Sequence, residues 1–276
     1  MSIKLFAFDL DGTAILAHKK MPDENRNAVI KAIQKGVICV PCTGRLLSFL
    51  PEEVSSLPDL KYVITCNGAK VENIATGVTL YKAAIPTETI VKAFDIINDY
   101  DIYSEIYCDG QAYTVKGYPE LAKTKFGFPE EKIHFTTKNY FFVKDLKDYF
   151  VINKMTADKI NLPYIPIEIR SEVKERLSKI EGLKLTSSVS DNIEVNDSKA
   201  TKGQALKSLC EKLGIDLDDC MAIGDNGNDA DMLKVAGVSV AMGNASDEAM
   251  SSAKFVTGNC EDFGFRDAVE KFILGK

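Results

Sequence analysis

The chain has 276 residues but no apolar run of the roughly 18 residues that a membrane-spanning helix requires, so no membrane partner is expected. Positive charge is not in excess: the formal net charge is −6, and the lysines are scattered rather than clustered. A nucleic-acid partner is therefore disfavoured. An anionic substrate is not, because a bound metal reverses the local field. Histidine is nearly absent, with only His18 and His134. A zinc site built on the pair in Cys39-Val40-Pro41-Cys42 would lack nearby ligands. That pair also sits in an apolar run that reads as a buried strand, whereas a redox thiol should open a helix. Seven cysteines make no even framework and are expected as reduced core thiols. The first residues reach Asp9 without a long apolar segment or cleavage site, so a cytoplasmic location is expected.

What is present is an alternation. Residues 3–8, 37–40 and 62–64 read as buried strands, with helical patterns over 23–35 and after Arg45. Near-continuous apolar strands separated by helices predict an α/β fold with a parallel sheet covered on both faces. From about residue 81 aromatic residues accumulate, and Asp109-Gly110 between two strand-like stretches predicts an antiparallel hairpin. Prolines 86, 119, 129, 163 and 166 punctuate this section. After residue 195 the first rhythm returns, with helices over 201–213, 228–236 and 262–273 and strands over 220–223 and 238–240. The expected organisation is a discontinuous parallel-sheet core, 1–82 with 189–276, interrupted by an α+β module at 83–188.

Chemistry gathers at strand ends. Phe8-Asp9-Leu10-Asp11-Gly12-Thr13 follows the first strand, where ligands bind in an open α/β sheet. Two carboxylates there need partners, and a hard cation such as Mg²⁺ supplies one; the bland alternative is a solvated turn capped by Asp11. Ile223-Gly224-Asp225-Asn226-Gly227-Asn228-Asp229 ends another apolar strand. Asp225 could complete a metal site with Asp9, while Asn228 and Asp229 read either as helix caps or as groups supporting that site. Thr43-Gly44-Arg45 offers a hydroxyl and N–H groups to an anion, although Thr is also a common cap. Lys202 opens a helix against the favourable dipole sense and is either a solvated lysine or a functional one.

Together these elements resemble the four motifs of the haloacid dehalogenase-like superfamily, and in detail its Cof-type, class IIB phosphatases. Cys66-Asn67-Gly68-Ala69 and Ala241-Met242-Gly243-Asn244-Ala245 also fit, and the resemblance spans essentially the whole chain. It implies a Rossmann-like core with an inserted cap that closes over the site and selects substrates. It implies a Mg²⁺-dependent phosphatase of small phosphorylated metabolites, with Asp9 as the nucleophile of an aspartyl-phosphate intermediate and Asp11 as general acid/base. Mg²⁺ would be held by the Asp9 and Asp225 carboxylates and the Asp11 backbone carbonyl, with Asp229 supporting them by hydrogen bonds or water. Thr43, the Gly44 and Leu10 N–H groups and Asn228 would bind phosphate, and Lys202 would neutralise both phosphate and Asp9. A monomer or weak homo-oligomer is expected.

Ala14-Ile15-Leu16 and Glu261-Asp262-Phe263-Gly264-Phe265 depart from the family pattern, as do Pro41 and Cys42. Cys42 is thereby expected near the site, where it could make activity thiol-sensitive. Tyr107, Tyr113 and Arg170 could line a pocket, but strand aromatics more often pack. Two other readings stand beside the phosphatase: a phosphomutase-type phosphotransferase with the same aspartyl chemistry, and a non-catalytic phosphate-binding regulator. Sugar phosphates, nucleotides, pyridoxal phosphate and flavin mononucleotide all suit an enzyme of this kind.

Overall fold

A computed structural model of the chain describes residues 2–16, 20–117, 120–127, 140–187 and 191–276. His18, His134, Pro119, Pro129 and the expected boundary at 188/189 lie outside the described residues. The strands are β1 (Leu5–Phe8), β2 (Ile38–Pro41), β3 (Tyr62–Thr65), β4 (Lys70–Asn73), β5 (Val78–Lys82), β6 (Glu105–Cys108) and β7 (Gln111–Val115). They continue with β8 (Tyr140–Val143), β9 (Lys159–Leu162), β10 (Leu183–Thr186), β11 (Ile193–Asp197), β12 (Cys220–Gly224), β13 (Val238–Ala241) and β14 (Phe255–Val256). Two compact units result: Met1–Lys82 with Thr201–Lys276, and Ala83–Ala200.

In the first unit a five-stranded parallel sheet runs β14-β13-β12-β1-β2. Successive β1 side chains point to opposite faces, and both faces are buried. Phe6 and Phe8 join Val29, Phe265 and Val269 on one side, with ring centroids of Phe6, Phe8 and Phe265 5.2–5.7 Å apart. Leu5 and Ala7 join Leu206, Leu209 and Leu233 on the other. Fully burying one such side chain contributes roughly 1.5–3 kcal/mol, so β1 is anchored on both faces and its exit is rigid. Because β1, β2 and β12 are parallel and in register at Phe8, Pro41 and Ile223, their carboxyl ends deliver Asp9, Thr43 and Asp225 to one edge.

The third strand is not part of that sheet. It pairs antiparallel with β4, which pairs with β5, and it meets the parallel sheet only at a bridge between Cys42 and Ile64. The cause is Pro41. The N–H groups of Ile38 and Cys42 point to β1 while that of Thr43 points to Ile64. By alternation position 41 also faces β3, and proline has no N–H to donate there. The helix expected after Arg45 is likewise reduced to short turns at Leu47–Phe49 and Glu52–Ser55. Pro51 stands between them and cannot continue a helix begun before it.

The second unit holds a six-stranded sheet, β10-β11-β9-β6-β7-β8, antiparallel except between β7 and β8. The expected hairpin joins β6 to β7, with Asp109 at φ 47° and Gly110 at φ 82°, the paired left-handed conformations of a tight hairpin turn. Helices Thr87–Ile97, Leu146–Ile152 and Ile167–Ser178 pack on the sheet through Ile90, Phe94, Phe150 and Val173 against Ile106, Ile160 and Val195. Because β11 pairs with β9 and β10, the chain leaves this sheet only after Asp197, and the division falls at Ala200/Thr201 rather than at 188/189. An apolar alternation in 193–195 looks the same whichever sheet it enters, which is why pattern alone set the boundary early.

Candidate active site

The site is built where β1, β2 and β12 end. Lys202 is fully buried, and its Nζ donates to Asp9 Oδ1 at 2.5 Å and to Asp229 Oδ1 at 2.6 Å. A buried ammonium held between two carboxylates excludes the solvated reading of this residue. Its helix, Lys202–Leu213, is opened by Thr201, whose side chain accepts the Gln204 N–H, and closed by the left-handed Gly214. The cap leaves Lys202 directed inward from the first turn. Burial opposes its charge, yet Asp229 and Asp9 hold the lysine protonated, well above its ordinary range.

Asp229 is engaged at both oxygens. While Oδ1 meets Lys202, Oδ2 accepts the N–H groups of Asp225 and Asn226 at 3.0 Å each. Asn226 and Asp229 thus form a capping box, and the same contacts fix the backbone that presents Asp225. Asp229 is therefore both a capping group and a support. Gly224 is required here, since a Cβ would lie 2.5 Å from Asp229 Cγ. Thr13 Oγ1 donates to Asp225 Oδ1 at 2.9 Å. Gly12 lies at φ 81°, and a Cβ on it would meet Asp225 Oδ2 at 2.5 Å.

Asp9, Asp225 and Asp229 bring ligand oxygens within 4.8 Å of one another. Lys202 alone does not balance them. Burial, then the charge of Asp229, pushes the Asp9 carboxyl well above the usual range against the opposing pull of Lys202. The same causes, in the same order, push Asp225 up to about 6. This excess of negative charge, on oxygen donors beside a strand end, fits a divalent cation that prefers oxygen ligands.

Of the residues expected to bind phosphate, Thr43 is buried, its N–H bonded to Ile64 and its Oγ1 accepting the Arg45 N–H at 3.1 Å. Its hydroxyl proton remains available for donation. Leu10 and Gly44 flank Asp9 and Thr43 in the same loops, and Asn228 Nδ2 donates to Asn67 Oδ1 at 3.2 Å. Asp11 is not a solvated cap: Arg45 grips it with Nε to Oδ2 at 2.9 Å and Nη2 to Oδ1 at 2.6 Å. Arg45 carries a role that reading the sequence missed. It was visible only as the third residue of Thr43-Gly44-Arg45, and the signal was the fork geometry that suits arginine to a carboxylate. Asn244, in Met242-Gly243-Asn244, also reaches back, with Nδ2 donating to the Gly12 carbonyl and Oδ1 accepting the Cys260 N–H.

Cys39 and Cys42 are buried free thiols. Burial pushes Cys39 up to about 12. Cys42 lies near enough to feel Lys202, Asp229 and Asp9, but burial chiefly drives its thiol upward as well. A thiol so protonated and enclosed is a core group, which speaks against thiol-sensitive activity. Tyr113 packs among Phe141, Tyr149 and Phe150, as strand aromatics do.

Residues 6–269 match the haloacid dehalogenase-like hydrolases, and the chain belongs to that family. Within it the chain is a Cof-type phosphatase, a phosphoric monoester hydrolase. It is 31% identical over 279 residues to the 5-amino-6-(5-phospho-D-ribitylamino)uracil phosphatase YcsE of Bacillus subtilis, covering 99% of this chain and 97% of that one. A haloacid dehalogenase-like hydrolase structure from B. subtilis superposes with a TM-score of 0.83 at 27% identity, covering 98% and 99% of the two chains. The subclass IIB sugar phosphatase BT4131 superposes at 0.79 with 25% identity, covering 98% of each. No helix among the described residues is long and apolar enough to cross a membrane.

Proposed function

We propose that the chain hydrolyses small phosphate monoesters in two steps through a phosphorylated Asp9. The observation that carries this reading is Lys202, buried between Asp9 and Asp229. It orients one carboxylate at the end of β1 and supplies a fixed positive charge beside it. Where there is little covalent work for side chains to do, positioning and electrostatics dominate phosphoryl transfer.

In the first step an Asp9 oxygen forms a bond to phosphorus and the bond from phosphorus to the ester oxygen breaks. Asp11 gives its proton to the departing oxygen, so the leaving group exits as an alcohol. In the second step Asp11, now a carboxylate, takes a proton from water as that water attacks phosphorus. Inorganic phosphate leaves and Asp9 is restored. Such proton transfers contribute about 10²–10⁴-fold. Arg45 occupies both Asp11 oxygens in this structure. Proton donation to the leaving group therefore requires Asp11 to turn away from Arg45.

Mg²⁺, bound by the Asp9 and Asp225 carboxylates and the Asp11 backbone carbonyl, would offset the repulsion between an anionic nucleophile and an anionic ester. Thr43, the N–H groups of Leu10 and Gly44, and Asn228 bind the phosphoryl oxygens, with Lys202 neutralising charge. Asp229 acts through Lys202 and the Asp225 backbone. Residues 83–200 are assigned the choice among esters. The activities of the ribitylaminouracil phosphatase and the sugar phosphatase favour a phosphate on a small hydroxylated skeleton. We further propose a cytoplasmic monomer or weak homo-oligomer that acts on metabolites rather than nucleic acid. A panel of phosphorylated metabolites, assayed for phosphate release with Mg²⁺ and with a chelator, tests this. Equal release by an Asp9→Asn variant on every ester would rule out the nucleophile.

A further inference from the structure

The turn between β3 and β4 is left-handed at three successive residues, Cys66 at φ 50°, Asn67 at φ 59° and Gly68 at φ 97°, and all three are buried. Left-handed backbone at non-glycine residues persists only where its surroundings hold it, and such positions gather at functional sites. Here the contacts run to the elements assigned above to phosphate and to Asp9, and the inference rests on that assignment. The Cys66 N–H donates to the Arg45 carbonyl at 3.1 Å and the Asn67 N–H to the Thr43 carbonyl at 3.0 Å, bracketing Gly44. Gly68 backs onto the start of the Lys202 helix. A Cβ there would lie 2.2 Å from the Thr201 carbonyl oxygen and 2.7 Å from the Lys202 nitrogen. Finally, Asn67 Oδ1 receives Asn228 Nδ2 at 3.2 Å, across 161 residues of chain.

The geometry points to Asn67 as a positioning residue for phosphoryl transfer, one that selects the orientation in which the Asn228 amide meets the phosphate. The terminal torsion of an asparagine is broad and nearly two-fold, so an untethered Asn228 would turn its oxygen toward an anion as readily as its nitrogen. A carbonyl oxygen can only accept. With the Asn67 amide turned as in this structure, its Oδ1 accepts one N–H of Asn228 and would repel a flipped Asn228 amide, which leaves the second N–H of the same nitrogen to donate. The Asn67 backbone meanwhile fixes the Thr43 loop, so both donors are set from one residue. Glycine would suit this φ better than asparagine. Asparagine also tolerates it, and unlike glycine it brings a side chain that reaches Asn228.

The test is an Asn67→Gly variant beside Asn228→Ala and the double variant. Asn67→Gly is expected to melt no lower than the parent, since glycine tolerates the left-handed turn. Its kcat/KM is expected to fall about five- to tenfold, the scale of one lost hydrogen bond, with inhibition by inorganic phosphate weakened in the same ratio. Because Asn67 acts through Asn228, the double variant should match Asn228→Ala within about twofold. Parental kcat/KM in Asn67→Gly or in Asn228→Ala, or a double variant showing the product of the two losses, overturns the inference. An Asp9→Asn control separates the two ideas. If it stays active, the phosphatase mechanism fails; if it is dead while Asn67→Gly is unimpaired, only the positioning role fails.

Discussion

Each unit of this protein buries charge, and the two do so in opposite ways. In the inserted unit Glu105 is fully buried and accepts hydrogen bonds from the hydroxyls of Tyr103, Tyr107 and Tyr140 and from Asn161 Nδ2, at 2.9–3.1 Å. Lys159, beside it, meets Glu194 at 2.7 Å and lies over the Tyr107 ring. Donors there match acceptors. In the core unit one lysine faces Asp9 and Asp229, with Asp225 close by, and burial, then the charge of Asp229, pushes the carboxyls of Asp9 and Asp225 upward. A satisfied network stabilises and specifies a packing, whereas an unbalanced one marks where charge must arrive from outside. The imbalance in the core is where a cation and a phosphate would be received.

The largest expected effect is on turnover. Asp9→Asn should lower kcat by at least about 10⁴-fold with little change in melting temperature, measured as phosphate release. Lys202→Met should also be inactive, and it should cost about 3–5 kcal/mol of stability in denaturant titration, because Asp9 and Asp229 are left buried without their cation. Glu105→Gln is the matching change in the inserted unit. It should cost about 1–3 kcal/mol while leaving release from a simple aryl phosphate largely intact. If Glu105→Gln silences the enzyme as fully as Lys202→Met, the contrast between the units is wrong.

Smaller effects sharpen the same division. Asp11→Asn should lower kcat by about 10²–10⁴-fold and leave a measurable residue, because attack by Asp9 does not require it. Mg²⁺ dependence should shift with pH in a defined sense. The raised Asp225 carboxyl gains its proton as pH falls through about 6, and a protonated carboxyl is a poor ligand. The Mg²⁺ concentration for half-maximal activity should therefore rise below that pH and level off above it. Finally, the folded protein at neutral pH should resist alkylation at Cys39 and Cys42, followed by mass spectrometry of the labelled peptides.

Much of the core was legible because its signals are local. A strand buried on both faces is a short apolar run, and a carboxylate placed just after it must sit at the sheet edge. Asp9, Asp225 and Thr43 could be found in this way. Lys202 showed only an oddity, a cation at a helix start, and its two carboxylate partners lie far away in sequence. The bidentate hold of Arg45 on Asp11, across 34 residues, showed only as an arginine ending Thr43-Gly44-Arg45, with nothing local to name its partner. Asn67 did leave one, since Asn-Gly is a turn signal and asparagine tolerates left-handed backbone. The missing ladder between β2 and β3 could also have been read from Pro41. In the inserted unit the helix-facing residues alternate with buried polar ones such as Glu105, Lys159 and Asn161. The central strands β6, β9 and β11 are buried along almost their whole length, so alternation there does not distinguish inside from outside, and neither the boundary nor the leaving-group contacts could be read.

Covalent capture tests the central claim most directly. The enzyme would be mixed with Mg²⁺ and a phosphate ester carrying labelled phosphorus, quenched in acid during turnover, and digested. The account predicts label on the peptide containing Asp9, removed by hydroxylamine as an acyl phosphate should be, and absent in Asp9→Asn. Turnover that proceeds with no labelled protein, or with label on another residue, would contradict it.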